Sequence, residues 1–157
     1  MGYYIHTHSS VFCIRKDNLD KFFDLVNNLM SKENIDKYSD FGHFSWISTE
    51  GVLEAVKNRD LIGVLREWRW DCIESSHAPD LACVDIIPID GTQKIGDDEV
   101  FFAAIASVVE DGSFIEVRGE DDAAWCWSWR NGKFFVADAL EMRYGTEREI
   151  PFDNPVY

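Results

Sequence analysis

Apolar and polar positions recur along this chain with periods that predict its elements. From Asp97 onward, Val100, Phe101, Ala104, Ile105, Val108 and Val109 form one stripe of a helix of about three turns. Asp97, Asp98 and Glu99 open it, where carboxylates suit the helix dipole, and Gly112 closes it. The period then changes to two. Residues 113–118, 123–130 and 133–138 read as antiparallel strands, joined by a four-residue turn over 119–122 and by Asn131-Gly132, a strong hairpin signal. A two-residue turn at Asn131-Gly132 sets Trp129 opposite Phe134, Trp127 opposite Val136 and Trp125 opposite Asp138. The three indoles then share a face. Ala124, Cys126 and Ser128 take the other face beside Phe135 and Ala137, and their small side chains predict that the preceding helix docks there.

The N-terminal half carries weaker patterns. Residues 3–14 alternate loosely and predict one or two strands, with a bend at Ser9-Ser10; His6 and His8 share a side with Phe12. Asp17 caps a helix from near Asn18, whose stripe is Leu19, Phe22, Phe23, Val26, Leu29 and Met30. Residues 31–42 are polar and read as a loop, and 43–47 as a short strand. Ser48 or Thr49 opens a second helix with Val52, Leu53 and Val56 inward. Asn58-Arg59-Asp60 breaks it, so 61–65 continue either through a kink or as another short helix. Trp68, Trp70 and Cys72 alternate as a strand, 75–79 turn, 80–89 form a further strand, and Asp90-Gly91 turns again. The sum is one α+β domain over 1–157: a mainly antiparallel sheet with about three helices packed on it, ending in a helix followed by a three-stranded meander.

Charge sharpens this picture. The chain has 157 residues and a formal net charge of −14. Residues 1–79 hold 12 acids against 9 bases, a net of −3, while 80–157 hold 17 against 6, a net of −11. A negative field on that scale disfavours nucleic acid and anionic membranes as direct partners and favours basic protein surfaces. A hydrophobic content of 46% with 14% aromatics supports a folded core. Cys13, Cys72, Cys83 and Cys126 show no CxxC pairing, which predicts buried free thiols in a reducing compartment. The N-terminus has no charged and apolar leader pattern, and no apolar run approaches a membrane span, so a cytoplasmic location is expected.

Candidate chemistry is sparse. The Trp125, Trp127 and Trp129 face is either a second core layer or an open platform for a partner or a stacked nucleotide-like ligand. Glu120, Asp121 and Asp122 form an acidic turn whose spacing lacks the order of a calcium loop. If the four-residue turn holds, Glu116 and Arg118 fall on the indole side and make a polar–aromatic site with Trp125 and Trp127. His6-Thr7-His8 is similar to the opening His-x-His of metal-dependent phosphoesterases, but only His43 and His77 remain to complete a ligand set. The chain has no nucleophile elbow, phosphate loop, dinucleotide fingerprint or HExxH, so no catalytic residue, metal or cofactor is assigned.

The run from Asp111 through Ser113, Glu116, Arg118, Gly119 and Asp121, followed by Trp125-Cys126-Trp127, resembles a segment in small uncharacterised proteins of bacteriophages and bacteria. In those, a Gly-Ser-aromatic-Ile-Glu-x-Arg-Gly-Glu-Asp run precedes a Trp-x-Trp strand. The opening Met1-Gly2-Tyr3-Tyr4 is also similar. The resemblance covers about residues 97–136 and implies a phage or mobile-element accessory protein, without an activity attached. The expectation is therefore a non-enzymatic, anti-defence type binding protein. Its acidic C-terminal half, through Glu116, Arg118, Glu120, Asp121, Asp122 and the indoles, engages a basic, nucleic-acid-binding surface of a host protein. A nucleotide-like ligand on the Trp face and a hydrolase using His6 and His8 are the alternatives.

Overall fold

The computed structural model describes residues 3–75, 79–87 and 93–139. Met1-Gly2, His77 and Asp90-Gly91, all singled out above, lie outside that set. A long first strand, β1 (Tyr4–Arg15), runs through the middle of the sheet. The strand order is β2-β3-β1-β5-β6-β7, and every pairing is antiparallel. β2 is Asp71–Ser75, β3 Leu81–Ile87, β5 Phe114–Gly119, β6 Ala124–Arg130 and β7 Lys133–Asp138. A two-residue strand, β4 (Gln93–Lys94), adds to β1 at Tyr4 and Ile5. β1 does not bend at Ser9-Ser10. It carries a bulge between Thr7 and Ser9, where Thr7 pairs with Val117 and Ser9 with Glu116. The extra residue reverses the phase of alternation, so Ser9 and Val11 face outward while Phe12 is buried.

Five α-helices are described, more than the three expected. α1 (Leu19–Leu29) buries Phe22, Phe23, Val26 and Leu29 as its stripe requires. Asp17 does not cap it; its carboxylate accepts from Arg15 Nε at 3.0 Å, and one 3₁₀ turn intervenes. The polar stretch after α1 is a helix, α2 (Lys32–Tyr38), not a loop. Ser31 Oγ accepts from Asn34 N and Ile35 is buried, and a cap plus one anchor suffice for a seven-residue helix. Residues 43–47 form no strand: Trp46 sits at φ 68°, which breaks extended alternation, and Phe44 alone is buried. α3 (Thr49–Lys57) starts at Ser48, whose Oγ accepts from Gly51 N at 3.1 Å; Leu53 lies exposed rather than inward. Arg59, at φ 53°, ends this run, and Asp60 caps the separate short helix α4 (Leu61–Glu67). A turn at Arg69, φ 70°, then aims Trp68 and Trp70 into the core ahead of β2.

The C-terminal helix, α5 (Asp98–Ala104), is shorter than three turns and passes into a 3₁₀ turn at Ala106–Val108. Its acids do more than complement a dipole. Asp97 accepts from Ser45 N at 2.7 Å, Asp98 from Trp70 Nε1 at 2.9 Å, and Glu99 from Trp127 Nε1 at 3.0 Å. The helix docks on the indole face of β6, not on the small-residue face. Phe102 packs on Trp127 and Trp129 with ring centroids 5.2 and 5.3 Å apart, and its carbonyl accepts from Trp129 Nε1 at 3.2 Å. The reason is area and donors. Burying indoles removes far more apolar surface than covering Ala, Cys and Ser, and the N–H groups of Trp127 and Trp129 find acceptors on α5. The register of the β6–β7 hairpin is the expected one, with Asn131 and Gly132 both at positive φ.

The cysteines correct the free-thiol expectation. Cys13 on β1 and Cys83 on β3 are direct cross-strand partners, 4.1 Å apart at Cα, and are joined as a disulfide. Cys72 and Cys126 are free. Alkylation of the unfolded, unreduced protein should label these two alone, and all four after reduction. Four labels without reductant would mean that the pair does not close. Because the bond spans 70 residues of sequence, Cys13→Ser is expected to lower stability by about 2–4 kcal/mol in urea unfolding.

Candidate functional site

The outer face of the sheet, opposite α5, holds a hollow of about 440 Å³. His6, Glu116 and Arg118 line it, over a floor of Ala124, Cys126 and Ala137; His8 and Asp138 also border it. The register explains the grouping. His6 is paired with Arg118, Arg118 with Ala124, Glu116 with Cys126, and Cys126 with Ala137, so these side chains project from one face. The small floor receives no helix and leaves room for the hollow.

Glu116 and Arg118 therefore lie on the side away from the indoles. Gly119 N donates to Ala123 O, so the β5–β6 connection is a three-residue loop with Asp122 at φ 65°, not a four-residue turn. That single-residue difference places Glu116 opposite Cys126 instead of Trp125 and moves both charged side chains to the other face. The expected grouping of Glu116 and Arg118 with Trp125 and Trp127 on one face is not formed, although Trp125 also borders the hollow. Trp127 and Trp129 are 0% and 1% exposed, so the face that a stacked ligand would need is filled by Phe102. Trp125 is half-buried beside Tyr3, and its Nε1 has no partner among the described residues.

The acidic turn is held firmly. Tyr3 Oη donates to Asp121, whose carboxylate also accepts from Ala123 N at 3.1 Å. The Tyr3 bond lowers the Asp121 pKa and raises that of Tyr3. A Cβ at Gly119 would collide with the Tyr3 ring and hydroxyl, so glycine lets the ring lie across the strand end. Asp121 is thus committed to the fold, while Glu120 and Asp122 stay exposed on the braced turn. Asp138 ends β7 opposite Trp125, at the same end of the sheet. Among the described residues the ion pairs are Arg15–Asp17, Arg59–Asp20 and Arg66–Asp71, and none involves an acid of residues 93–139.

Burial and the nearby Glu116 charge raise the pKa of the Cys126 thiol, which disfavours the thiolate. Among the described residues no three His, Cys, Asp or Glu side chains converge as metal ligands. His43 Nδ1 lies 3.1 Å from the Phe41 carbonyl oxygen, away from the hollow. The sequence signal that could have grouped His6 with Arg118 was the pairing of β1 with β5, which periodicity alone does not specify.

The fold and the hollow define a class: a small α+β protein with α5 packed on one side of an antiparallel sheet and a polar hollow on the other. Comparison with known proteins adds no relative, since no family model, no curated protein and no solved structure matches the chain. Among the described residues no helix is long and apolar enough to cross a membrane.

Proposed function

We propose that this is a non-enzymatic binding protein, an accessory or anti-defence protein of the phage type, whose acidic sheet end engages the basic, nucleic-acid-binding surface of a host protein. The observation that carries the reading is the braced turn. Glu120 and Asp122 are exposed on a loop fixed by Tyr3, Gly119 and Asp121, and no cation of the described chain pairs with them. Asp138 at the same end extends the field, while Glu116 shares the adjoining hollow with Arg118. Carboxylates held without counter-charges on a rigid scaffold attract and orient a basic partner without a folding penalty at encounter.

The test is capture from host lysate across a salt series, with wild-type protein and a Glu120→Lys/Asp122→Lys double variant. Basic proteins should be retained at low salt, lost as salt rises, and bound roughly tenfold more weakly by the double variant. Retention that ignores both salt and charge reversal would rule the reading out.

A further inference from the structure

We propose that a second hollow, between α1, α2, α5 and the edge strand β7, binds a small apolar molecule carrying one ammonium group. This goes beyond the protein-binding reading and does not depend on it. The hollow measures about 660 Å³, within the size range of small-molecule sites. Leu25 and Val100 wall it on the helical side, Phe134 and Val136 on the strand side, and Ala103 and Ala104 make the space. Val136 remains 46% exposed on β7, so apolar surface stands open at the mouth.

Its polar groups are few and mostly accept. Among the described residues no Lys, Arg or His lines the hollow, and Glu99 is the one charged lining residue. One Glu99 oxygen, Oε1, accepts from Trp127 Nε1 at 3.0 Å, and Trp127 is completely buried. The indole thereby orients the carboxylate and leaves Oε2 without a bond among the described residues. Asn34 uses its amide nitrogen on the Asn28 carbonyl at 2.8 Å, which leaves its amide oxygen as a second acceptor. Tyr38 contributes a hydroxyl. An anion entering here would meet the exposed Glu99 carboxylate, and the nearest described cation is Lys37, whose Nζ lies 4.9 Å over the Tyr38 ring at the rim. A neutral molecule would gain the apolar contacts alone. An ammonium on an aliphatic or aromatic body satisfies both the walls and the free oxygen.

The experiment titrates the full chain with 4-phenylbutylamine, 4-phenylbutanol and 4-phenylbutyrate, which differ only at the head group. The readouts are the Trp127 indole N–H and the Asn34 side-chain amide by NMR. The amine should shift both resonances saturably, bind at least about fivefold tighter than the alcohol, and bind tighter still relative to the carboxylate. Glu99→Gln keeps an acceptor for Trp127 and should bring the amine down to the affinity of the alcohol. Val136→Trp, at an exposed strand position, should fill the mouth and weaken amine and alcohol alike. No saturable shift with the amine up to about 10 mM, equal binding of amine and carboxylate, or an unchanged amine affinity in Glu99→Gln would each overturn the proposal.

Discussion

Truncating Phe102 to alanine is expected to lower stability by about 3–5 kcal/mol and the melting temperature by on the order of 10 °C. The ring is fully buried and contacts Phe12, Trp70, Phe101, Trp127, Trp129 and Phe134. It thus joins α5 to three different parts of the sheet side of the core. Its removal leaves a cavity that rigid indoles cannot collapse into, so the loss exceeds the transfer free energy of the ring alone. Trp125→Ala supplies the contrast. That indole is larger but half-buried, and its N–H makes no bond among the described residues, so about 1–2 kcal/mol is expected. Guanidinium unfolding of the two variants decides the matter. If Trp125→Ala proves the more damaging, the core is not organised around the contact of α5 with the indole face.

The second large effect is a pH dependence centred on Asp98. This carboxylate is 3% exposed, and burial pushes its pKa up to about 6 from the ordinary 3.8, against the opposing hydrogen bonds from Gly96 N and Trp70 Nε1. A raised folded-state pKa means that the native state binds the proton more tightly than the unfolded chain does. The associated stability is fully present below about pH 3.8 and is lost as pH rises through about 6. The span corresponds to about 3 kcal/mol. Other carboxylates act in the opposite sense. Asp17 and Asp121 have lowered pKa values, so their contribution is lost as pH falls through those values. The difference between wild type and Asp98→Asn isolates the residue. The variant loses a constant amount because its amide group opposes one of the two N–H donors, yet relative to wild type it should gain about 2 kcal/mol between pH 4 and pH 8. A difference that stays flat over that interval would show that Asp98 is not desolvated.

Both effects rest on contacts that joined residues far apart in sequence, and this separates what the chain spelled out from what it did not. The Asn131-Gly132 hairpin was legible because its turn geometry and its register both reside within a few residues. The α1 stripe and the opening of α3 at Ser48 were legible for the same local reason. The side of β6 that α5 covers is not legible in this local way. Close approach over small residues looked favourable pair by pair, but the choice turned on total buried area and on acceptors for indole N–H groups supplied by α5. The site was misread through one residue of loop length, since a period of two converts that error into the opposite face for Glu116 and Arg118.

By itself, then, the sequence determined the α+β class, the acidic imbalance toward the C-terminal half and the common face of the three indoles. These follow from composition and from periods read over short windows. Only the tertiary structure decided that this face is core, that Cys13 meets Cys83, that His6 joins Arg118 in one hollow, and that the three acids opening α5 each reach a different distant donor. Such outcomes depend on which strands become neighbours and on the competition for burial across the whole chain, and no local pattern encodes either.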